Sequence, residues 1–300
     1  MPKPKALKNS LSHFELFNKE FMQKEKYTLV TGGSEGIGRA LAEECAKRGM
    51  NVLLVALPQP QLETTAQYIR ETYQVRAEYF GVDLTEEQAP YQVLEWVQQK
   101  GYQVDILINN AGFGYAGAFE DYATPQFFDK LMQLNMRALV LLNRLFIPEL
   151  KKQPKAYLMN LGSMSSFQPV PYQAVYGASK AFIYNFTRAI RVELADTNIS
   201  VMALCPGGTN TNDINKARNA DLKGLARKSI LNPEDIAPKA IDALLKGKAK
   251  LLTGRINRII VNISKLIPLG TRLKIAAKNL KPKQEFTQTQ DASQKEAVKA

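Results

Sequence analysis

Seven short apolar runs recur along residues 27–254: Tyr27–Val30, Asn51–Leu57, Ala77–Val82, Val104–Ile108, Ala156–Asn160, Ile199–Cys205 and Lys250–Leu252. Longer amphipathic runs separate most of them: Ile37–Arg48, Gln61–Tyr73, Glu87–Lys100, Pro125–Leu150, Val175–Ala195 and Pro233–Leu245. A run that is apolar throughout must be covered on both faces, and a helix-length crossover lets consecutive strands run parallel. Right-handed crossovers then predict an α/β, doubly wound, three-layer domain on a seven-stranded parallel sheet.

Composition narrows the chemistry. The 300 residues are 45% apolar and 23% charged, which excludes disordered, collagen-like and disulfide-scaffold chains. Cys45 and Cys205 stand 160 residues apart, as free thiols of a reducing compartment do. Cys45 reads as a packed helix residue and Cys205 as the end of a buried strand. A lone histidine, His13, excludes a multi-histidine mechanism and, with two cysteines, a Cys/His zinc site. Ser, Tyr, Lys, Asn, carboxylates or a cofactor must carry any catalysis.

The net charge of +12 lies mostly at the ends. Residues 1–26 carry six Lys against three Glu, and residues 243–284 carry eleven Lys or Arg with no acid. Residues 1–26 form a basic extension, where Ser12 and Glu15 fit a capping box ahead of Phe14, Phe17 and Phe21 at helical spacing. Residues 255–280 form a basic amphipathic segment. Its stripe is Ile256, Ile259, Ile260, Ile263, Leu266 and Ile267, bordered by Arg255, Arg258 and Lys265. Pro268 is expected to stop or kink that helix. A stripe at this spacing is most often core-facing, yet with its flanking cations it also suits an anionic membrane. Residues 281–300 read as a polar, disordered tail. No run of 18 uncharged apolar residues occurs and no secretory h-region opens the chain, so a cytoplasmic, at most membrane-peripheral, location is expected. Residues 243–284 hold no Phe, Tyr or Trp, which argues against nucleic acid as a partner.

The first strand runs into Thr31-Gly32-Gly33-Ser34-Glu35-Gly36-Ile37-Gly38 and then a helix. Gly32 allows a tight turn, Gly36 lets backbone approach a diphosphate, and Gly38 allows close helix–strand packing. The helix N-terminus turns unpaired N–H groups and partial positive charge toward the phosphates.

This spacing resembles the short-chain dehydrogenase/reductase family, and further residues match along the chain. Asn109-Asn110-Ala111-Gly112 follows the fourth strand, Asn135 lies in the next helix, and Ser163 precedes Tyr176-Gly177-Ala178-Ser179-Lys180 by thirteen residues. Asp83 follows the third strand, and Pro206-Gly207 with Thr211 follows the sixth. The resemblance covers residues 27–254. It implies a Rossmann-type catalytic domain with catalytic Asn135, Ser163, Tyr176 and Lys180. It also implies cofactor contacts at Thr31, Gly32, Ser34, Glu35, Gly36, Ile37, Gly38, Asp83, Leu84, Asn110, Ala111, Gly112, Tyr176, Lys180, Pro206, Gly207, Thr209 and Thr211. Asp83 would meet the adenine. A homodimer through the helices Pro125–Leu150 and Val175–Ala195 is implied too.

The residue types suit hydride chemistry. A phenol near pKa ~10 is a poor proton donor at neutral pH. Lys180 is one helical turn from Tyr176, and its ammonium favours the tyrosinate and lowers that pKa. Ser163 and Tyr176 would hydrogen-bond the substrate oxygen and stabilise its developing charge. Family resemblance implies that Lys180 also bonds the nicotinamide ribose and that Asn135 holds a relay water. No acid stands at Ala56 or Leu57 to bond a ribose 2′-hydroxyl, which favours NADP(H). Neither Leu57 nor Glu35 is the basic residue common in NADP(H) users, so NAD(H) stays open, and Arg39 is the nearby candidate. Phe113, Tyr115, Phe119, Phe167, Val170 and Tyr172 read either as an apolar pocket or as core. The resemblance points to acyl, sphingoid or steroid-like ketones. A non-catalytic dinucleotide-binding or membrane-associated protein on the same fold is the alternative.

Overall fold

The computed structural model describes residues 25–220 and 222–281. The amphipathic helix expected around Ser12 and His13 therefore lies outside the described residues, as does the tail beyond Lys281. Seven strands form one sheet: β1 (Lys26–Thr31), β2 (Asn51–Ala56), β3 (Ala77–Gly81), β4 (Gln103–Asn109), β5 (Ala156–Leu161), β6 (Ile199–Cys205) and β7 (Lys250–Leu252). All pairs are parallel, in the order β3-β2-β1-β4-β5-β6-β7. Leu29 lies between Leu53 and Leu107 in register. The chain works outward from β1 to β3 and then returns past β1 to β4. A crevice opens at that reversal, beyond the carboxyl ends of β1 and β4.

Strand alternation sorts the core into two layers. Val30, Val52, Leu54, Ile108, Met159 and Met202 face α1 (Gly36–Lys47), α2 (Pro60–Tyr73) and α9 (Pro233–Leu245). Leu29, Leu53, Val55, Leu107, Leu158 and Val201 face α3 (Ala89–Gln99), α5 (Leu139–Lys151) and α6 (Ala174–Glu193). Cys45 and Cys205 are free and buried, and burial pushes both thiols up to about 12, so they pack and do not react.

Three features depart from the sequence pattern. The single helix expected over Pro125–Leu150 is α4 (Pro125–Met132), a π-helical turn (Gln133–Ala138) and α5. Beyond β6, α7 (Asp213–Ala220) and α8 (Gly224–Lys228) lie where the sequence shows no amphipathic run. The basic segment beyond β7 is two helices, α10 (Arg255–Ser264) and α11 (Leu269–Leu280), with Pro268 capping the second. The stripe of α10 does not face the core throughout. Asn257 and Val261 take the inner position, while Ile259, Ile263 and Leu266 are exposed. Phase decides this: Asn257 Nδ2 donates to the carbonyls of Ser229 and Thr253, each at 3.1 Å, which turns Ile259 and Ile263 outward and leaves Ile256 and Ile260 half-buried.

At the far end of β4 from the crevice, burial pushes the Asp105 carboxyl up to about 6, against a smaller opposing pull from Lys26. The folded chain then holds a proton between pH 4 and 6 that the unfolded chain has released, so this group costs stability as pH rises through that window. Asp105→Asn is expected to stabilise the protein by about 1–2 kcal/mol at pH 7, discounting for partial solvent access. The gain should vanish below about pH 4 in urea unfolding followed across pH.

Candidate active site

The crevice is built by two turns that hold each other. Thr31 ends β1, and its Oγ1 accepts hydrogen bonds from the backbone N–H of Asn110 and of Ala111, each at 3.0 Å. Asn110 Nδ2 donates back to the carbonyls of Thr31 (2.9 Å) and Gly32 (3.2 Å). Gly32 has φ +64°, and its N–H donates to Val55 O at 2.7 Å. A Cβ on Gly38 would strike the Gly32 carbonyl, so glycine alone lets α1 start this close to β1.

Glu35 caps α1 in extended conformation without a side-chain hydrogen bond. The first turn, where Gly36, Ile37 and Gly38 present their N–H groups, receives no side-chain cap hydrogen bond from Glu35. That open N-terminus fits a diphosphate. Thr211 packs against Gly36, and Thr65 Oγ1 donates to Ser34 O at 3.1 Å, fixing the outer wall. Farther along, Asp83 Oδ1 accepts from Thr85 N (2.9 Å) and Thr85 Oγ1 (2.8 Å), and Leu84 is buried beneath it. Beyond β2, Leu57 is 47% exposed and no acid stands beside Ala56. The Arg39 guanidinium is engaged by Glu43 at 2.6 Å and lies 5.3 Å from the Tyr68 ring centroid.

The catalytic candidates converge from three elements. Asn135 sits in the π turn, fully buried. Its Oδ1 accepts from Phe113 N at 3.1 Å, and its Nδ2 donates to Phe113 O at 2.9 Å and Ser179 Oγ at 3.2 Å. These bonds hold it between the turn after β4 and α6, and the local π-helical winding brings it there. A Cβ on Gly112 would lie 2.8 Å from Asn135 Oδ1 and 3.5 Å from Lys180 Nζ, so the three meet.

Lys180 is buried on α6 and donates from Nζ to Leu161 O at 2.9 Å. Burial lowers its ammonium to about 8. Nζ lies 5.8 Å from the Tyr176 ring centroid, one helical turn away. Ser163 opens a 3₁₀ turn (Met164–Phe167), and its Oγ accepts from Ser165 N at 3.1 Å. Ser166 Oγ accepts from Ser163 N (3.2 Å) and donates to Lys180 O (2.7 Å), tying the serine turn to α6. Met164 N donates to Pro206 O at 2.7 Å, which brings in the turn after β6. There Gly207 abuts Asn257, and Thr209 Oγ1 donates to Gly207 O at 3.0 Å.

Several supporting residues escape sequence reasoning. Below the site, Asn109 Nδ2 and Asn143 Nδ2 both donate to Asn160 Oδ1, at 2.9 and 3.1 Å, and Asn160 Nδ2 donates to Thr187 Oγ1 at 3.0 Å. An asparagine inside an apolar run is the signal that could have exposed this network. Ser179 and Ser166 carry no such signal. The aromatics do not form one pocket. Tyr115 packs with Tyr122, Phe127 and Phe128 in a satellite core, accepting from Val175 N at 3.1 Å, while Phe119 is 61% exposed. Phe167 lies away from them, edge-on to Tyr184. Tyr172 has φ +64°, a strained value for a bulky residue, and its carbonyl accepts from Gly117 N at 2.8 Å.

An NAD(P)-dependent oxidoreductase is the class of protein that needs both halves of this crevice, a diphosphate cradle and a phenol beside a buried cation. The chain belongs to the short chain dehydrogenase family, whose model matches residues 26–223. It is 32% identical over 240 residues to the 7beta-hydroxysteroid dehydrogenase of Clostridium sardiniense, covering 78% of this chain and 89% of that one. It is 34% identical to chicken hydroxysteroid dehydrogenase-like protein 1 over 60% of this chain, spanning 55% of that relative. A solved 7beta-hydroxysteroid dehydrogenase shares the fold with a TM-score of 0.76 at 24% identity, over 85% of this chain and 98% of that one. A short-chain dehydrogenase from Sphingobium yanoikuyae, solved with NADPH, has a TM-score of 0.69 at 26% identity over 81% and 94%. A 3-ketoacyl-(acyl-carrier-protein) reductase from Brucella melitensis, solved with NADH, has 0.67 at 28% over 76% and 96%.

Lys180 has no carboxylate partner among the described residues, so its buried charge is a stability cost. At pH 7 Lys180 is protonated in both states, so the full penalty applies. Between pH 8 and 10.5 the folded chain has lost the proton that the unfolded chain keeps, and the penalty fades. Lys180→Met is expected to stabilise the protein by about 1–2 kcal/mol at pH 7. Thermal unfolding across pH should show that advantage shrinking above pH 8.

Proposed function

We propose that this protein interconverts a ketone and a secondary alcohol on a hydrophobic substrate of acyl, sphingoid or steroid-like type. The observation that carries this is Lys180, buried with no carboxylate partner among the described residues, one turn from Tyr176 and locked between Leu161 O and the Asn135 turn. Its positive charge favours the phenolate, so Tyr176 can give its proton to the substrate oxygen in reduction and retrieve it in oxidation. Ser163 already accepts from Ser165 N, which leaves its O–H to donate to the same oxygen. Asn135 is the residue assigned to hold a relay water toward Lys180. When bound, the nicotinamide dinucleotide supplies or accepts the hydride. The turn from Thr31 to Gly38 would hold its diphosphate, Asp83 and Leu84 its adenine, and Asn110, Ala111, Gly112, Pro206, Gly207, Thr209 and Thr211 the nicotinamide half. A purely dinucleotide-binding role is disfavoured, because Tyr176 and Lys180 are both in place.

NADP(H) is the preferred cofactor in this reading, with NAD(H) accepted. The absence of an acid at Ala56 and Leu57 supports it, as do relatives solved with each cofactor. We also assign a homodimer through α5 and α6. Val140, Leu141, Leu145, Phe182 and Phe186 all keep solvent-accessible surface, and the rings of Phe182 and Phe186 stack at 5.9 Å. The location in this reading is cytoplasmic, with peripheral contact to an anionic membrane through the basic C-terminal helices. No helix among the described residues is long and apolar enough to cross a membrane.

A panel of hydroxysteroids and 3-oxoacyl thioesters, run with NADPH and NADH, tests the activity. Tyr176→Phe is expected to keep cofactor binding and cut turnover by ~10²–10⁴. Near-normal turnover in that variant would overturn the assignment, and tighter binding of NADH than NADPH would overturn the cofactor preference. Light scattering at micromolar concentration should give the dimer mass; a monomer there removes the α5–α6 interface.

A further inference from the structure

Where α10 leaves β7, a cavity of about 320 Å³ opens between the edge strand, the helix and the serine turn. Three cations line it: Lys250 from β7, Arg258 from α10, and Lys265, which caps the end of α10. No carboxylate among the described residues pairs with any of them. Its remaining wall is mostly apolar, from Phe167, Leu251, Leu252 and Val261. Lys250 Nζ lies 5.9 Å from the centroid of the Phe167 ring. Phe167 ends the turn that Ser163 begins, so this cavity adjoins the catalytic serine turn from outside.

The helical phase of α10 explains why the cations gather here. Asn257 and Val261 point into the fold. Arg258 and Lys265, seven residues apart, form the adjoining stripe. Ile259, Ile263 and Leu266 form the next, at 56%, 54% and 86% exposure. Leu269 and Ile275 continue exposed apolar surface onto α11, with Arg272, Lys274 and Lys278 among them. Isolated exposed apolar side chains are ordinary, but a continuous row beside converging cations is not.

We propose that this cavity takes the phosphate headgroup of an anionic phospholipid and seats α10 and α11 on the bilayer beside the catalytic cleft. The inference rests on the membrane contact in the functional reading above and names the site that makes it. Three exposed cations converging on one cavity without acids attract an anion, and the apolar wall suits the glycerol and first methylenes below a phosphate. The exposed isoleucine row then meets the acyl boundary, as the apolar face of an interfacial helix does. A second copy docked through the same surface by two-fold symmetry would oppose three cations with three cations. Nucleic acid would find no aromatic stacking group on either helix.

Co-sedimentation of the full chain with vesicles tests this, using phosphatidylcholine alone and phosphatidylcholine mixed with phosphatidylserine. Wild type is expected to bind the mixed vesicles and to release with salt. Lys250→Gln/Arg258→Gln/Lys265→Gln should weaken that binding about a hundredfold while leaving NADPH affinity unchanged. Neutralising Lys47, Lys100 and Lys151 instead, the same charge removed elsewhere, should cost much less. Equal losses in the two triple variants would overturn the headgroup site and leave only general charge attraction. Unchanged binding in the first variant would overturn it too, with the membrane contact intact. No binding by wild type removes both. Capture of inorganic phosphate without vesicle binding would make the cavity a free-anion site, and loss of an oligomer in the first variant would make it an interface between copies; either overturns the lipid assignment.

Discussion

The exchange of hydrogen bonds between Thr31 and Asn110 holds the crevice open in one shape. Two backbone N–H groups donate to a single threonine oxygen, and one amide reaches back to two carbonyls. Each such bond is worth only about 1 kcal/mol net, but losing either partner strands several buried polar groups at once. Both turns lie at the carboxyl ends of adjacent strands, where helix and sheet hydrogen bonding stops. Without this lock, neither the glycine cradle nor the turn carrying Gly112 and Phe113 would have a fixed place. Asn135 depends on that second turn through both of its bonds to Phe113, and Lys180 depends on the space that Asn135 leaves.

Lys180 shows how strain and function meet. Its ammonium is buried against a carbonyl, with no carboxylate to neutralise it, and burial alone pulls its proton affinity down. An ion pair would relieve that cost and would also spend the charge that the role proposed for Tyr176 requires. The surrounding structure carries the burden instead. Ser166 holds the Lys180 carbonyl, Ser179 holds Asn135, and the Asn109–Asn160–Asn143 cluster fixes β4, β5 and α5 below. The π-helical turn belongs to the same arrangement, because one wider turn redirects Asn135 without ending the helix.

Periodicity made the sheet, its strand count and its layered order legible, because apolar residues on both strand faces leave only a covered parallel sheet. The glycine turn was legible because its backbone geometry tolerates few other residues. Tyr176 and Lys180 could be placed on one face from their spacing alone. The boundaries of the long helix were not legible, since Gln133–Ala138 has ordinary helical composition and its winding comes from Asn135 bonding a distant loop. The aromatic residues after β4 were ambiguous for a related reason: burial against Phe127 and Phe128 depends on where α4 lands.

The isoleucine stripe of α10 marks the boundary most clearly. Spacing showed that Ile256 to Ile267 share a helical side, and charge counting showed that no acid accompanies them. Which side turns inward was decided by Asn257, a polar residue in an apolar pattern, which bonds the Thr253 carbonyl one turn back and also the Ser229 carbonyl, which no local rule could bring near it. The sequence by itself determined the sheet, the glycine turn and the shared helix face of Tyr176 and Lys180, because each follows from local periodicity or from a backbone geometry that few residues allow. The tertiary structure alone decided the buried amide network, the unpaired state of Lys180 and the outward face of α10. Those are contacts between residues far apart in the chain, and their energies exist only once the whole sheet has closed.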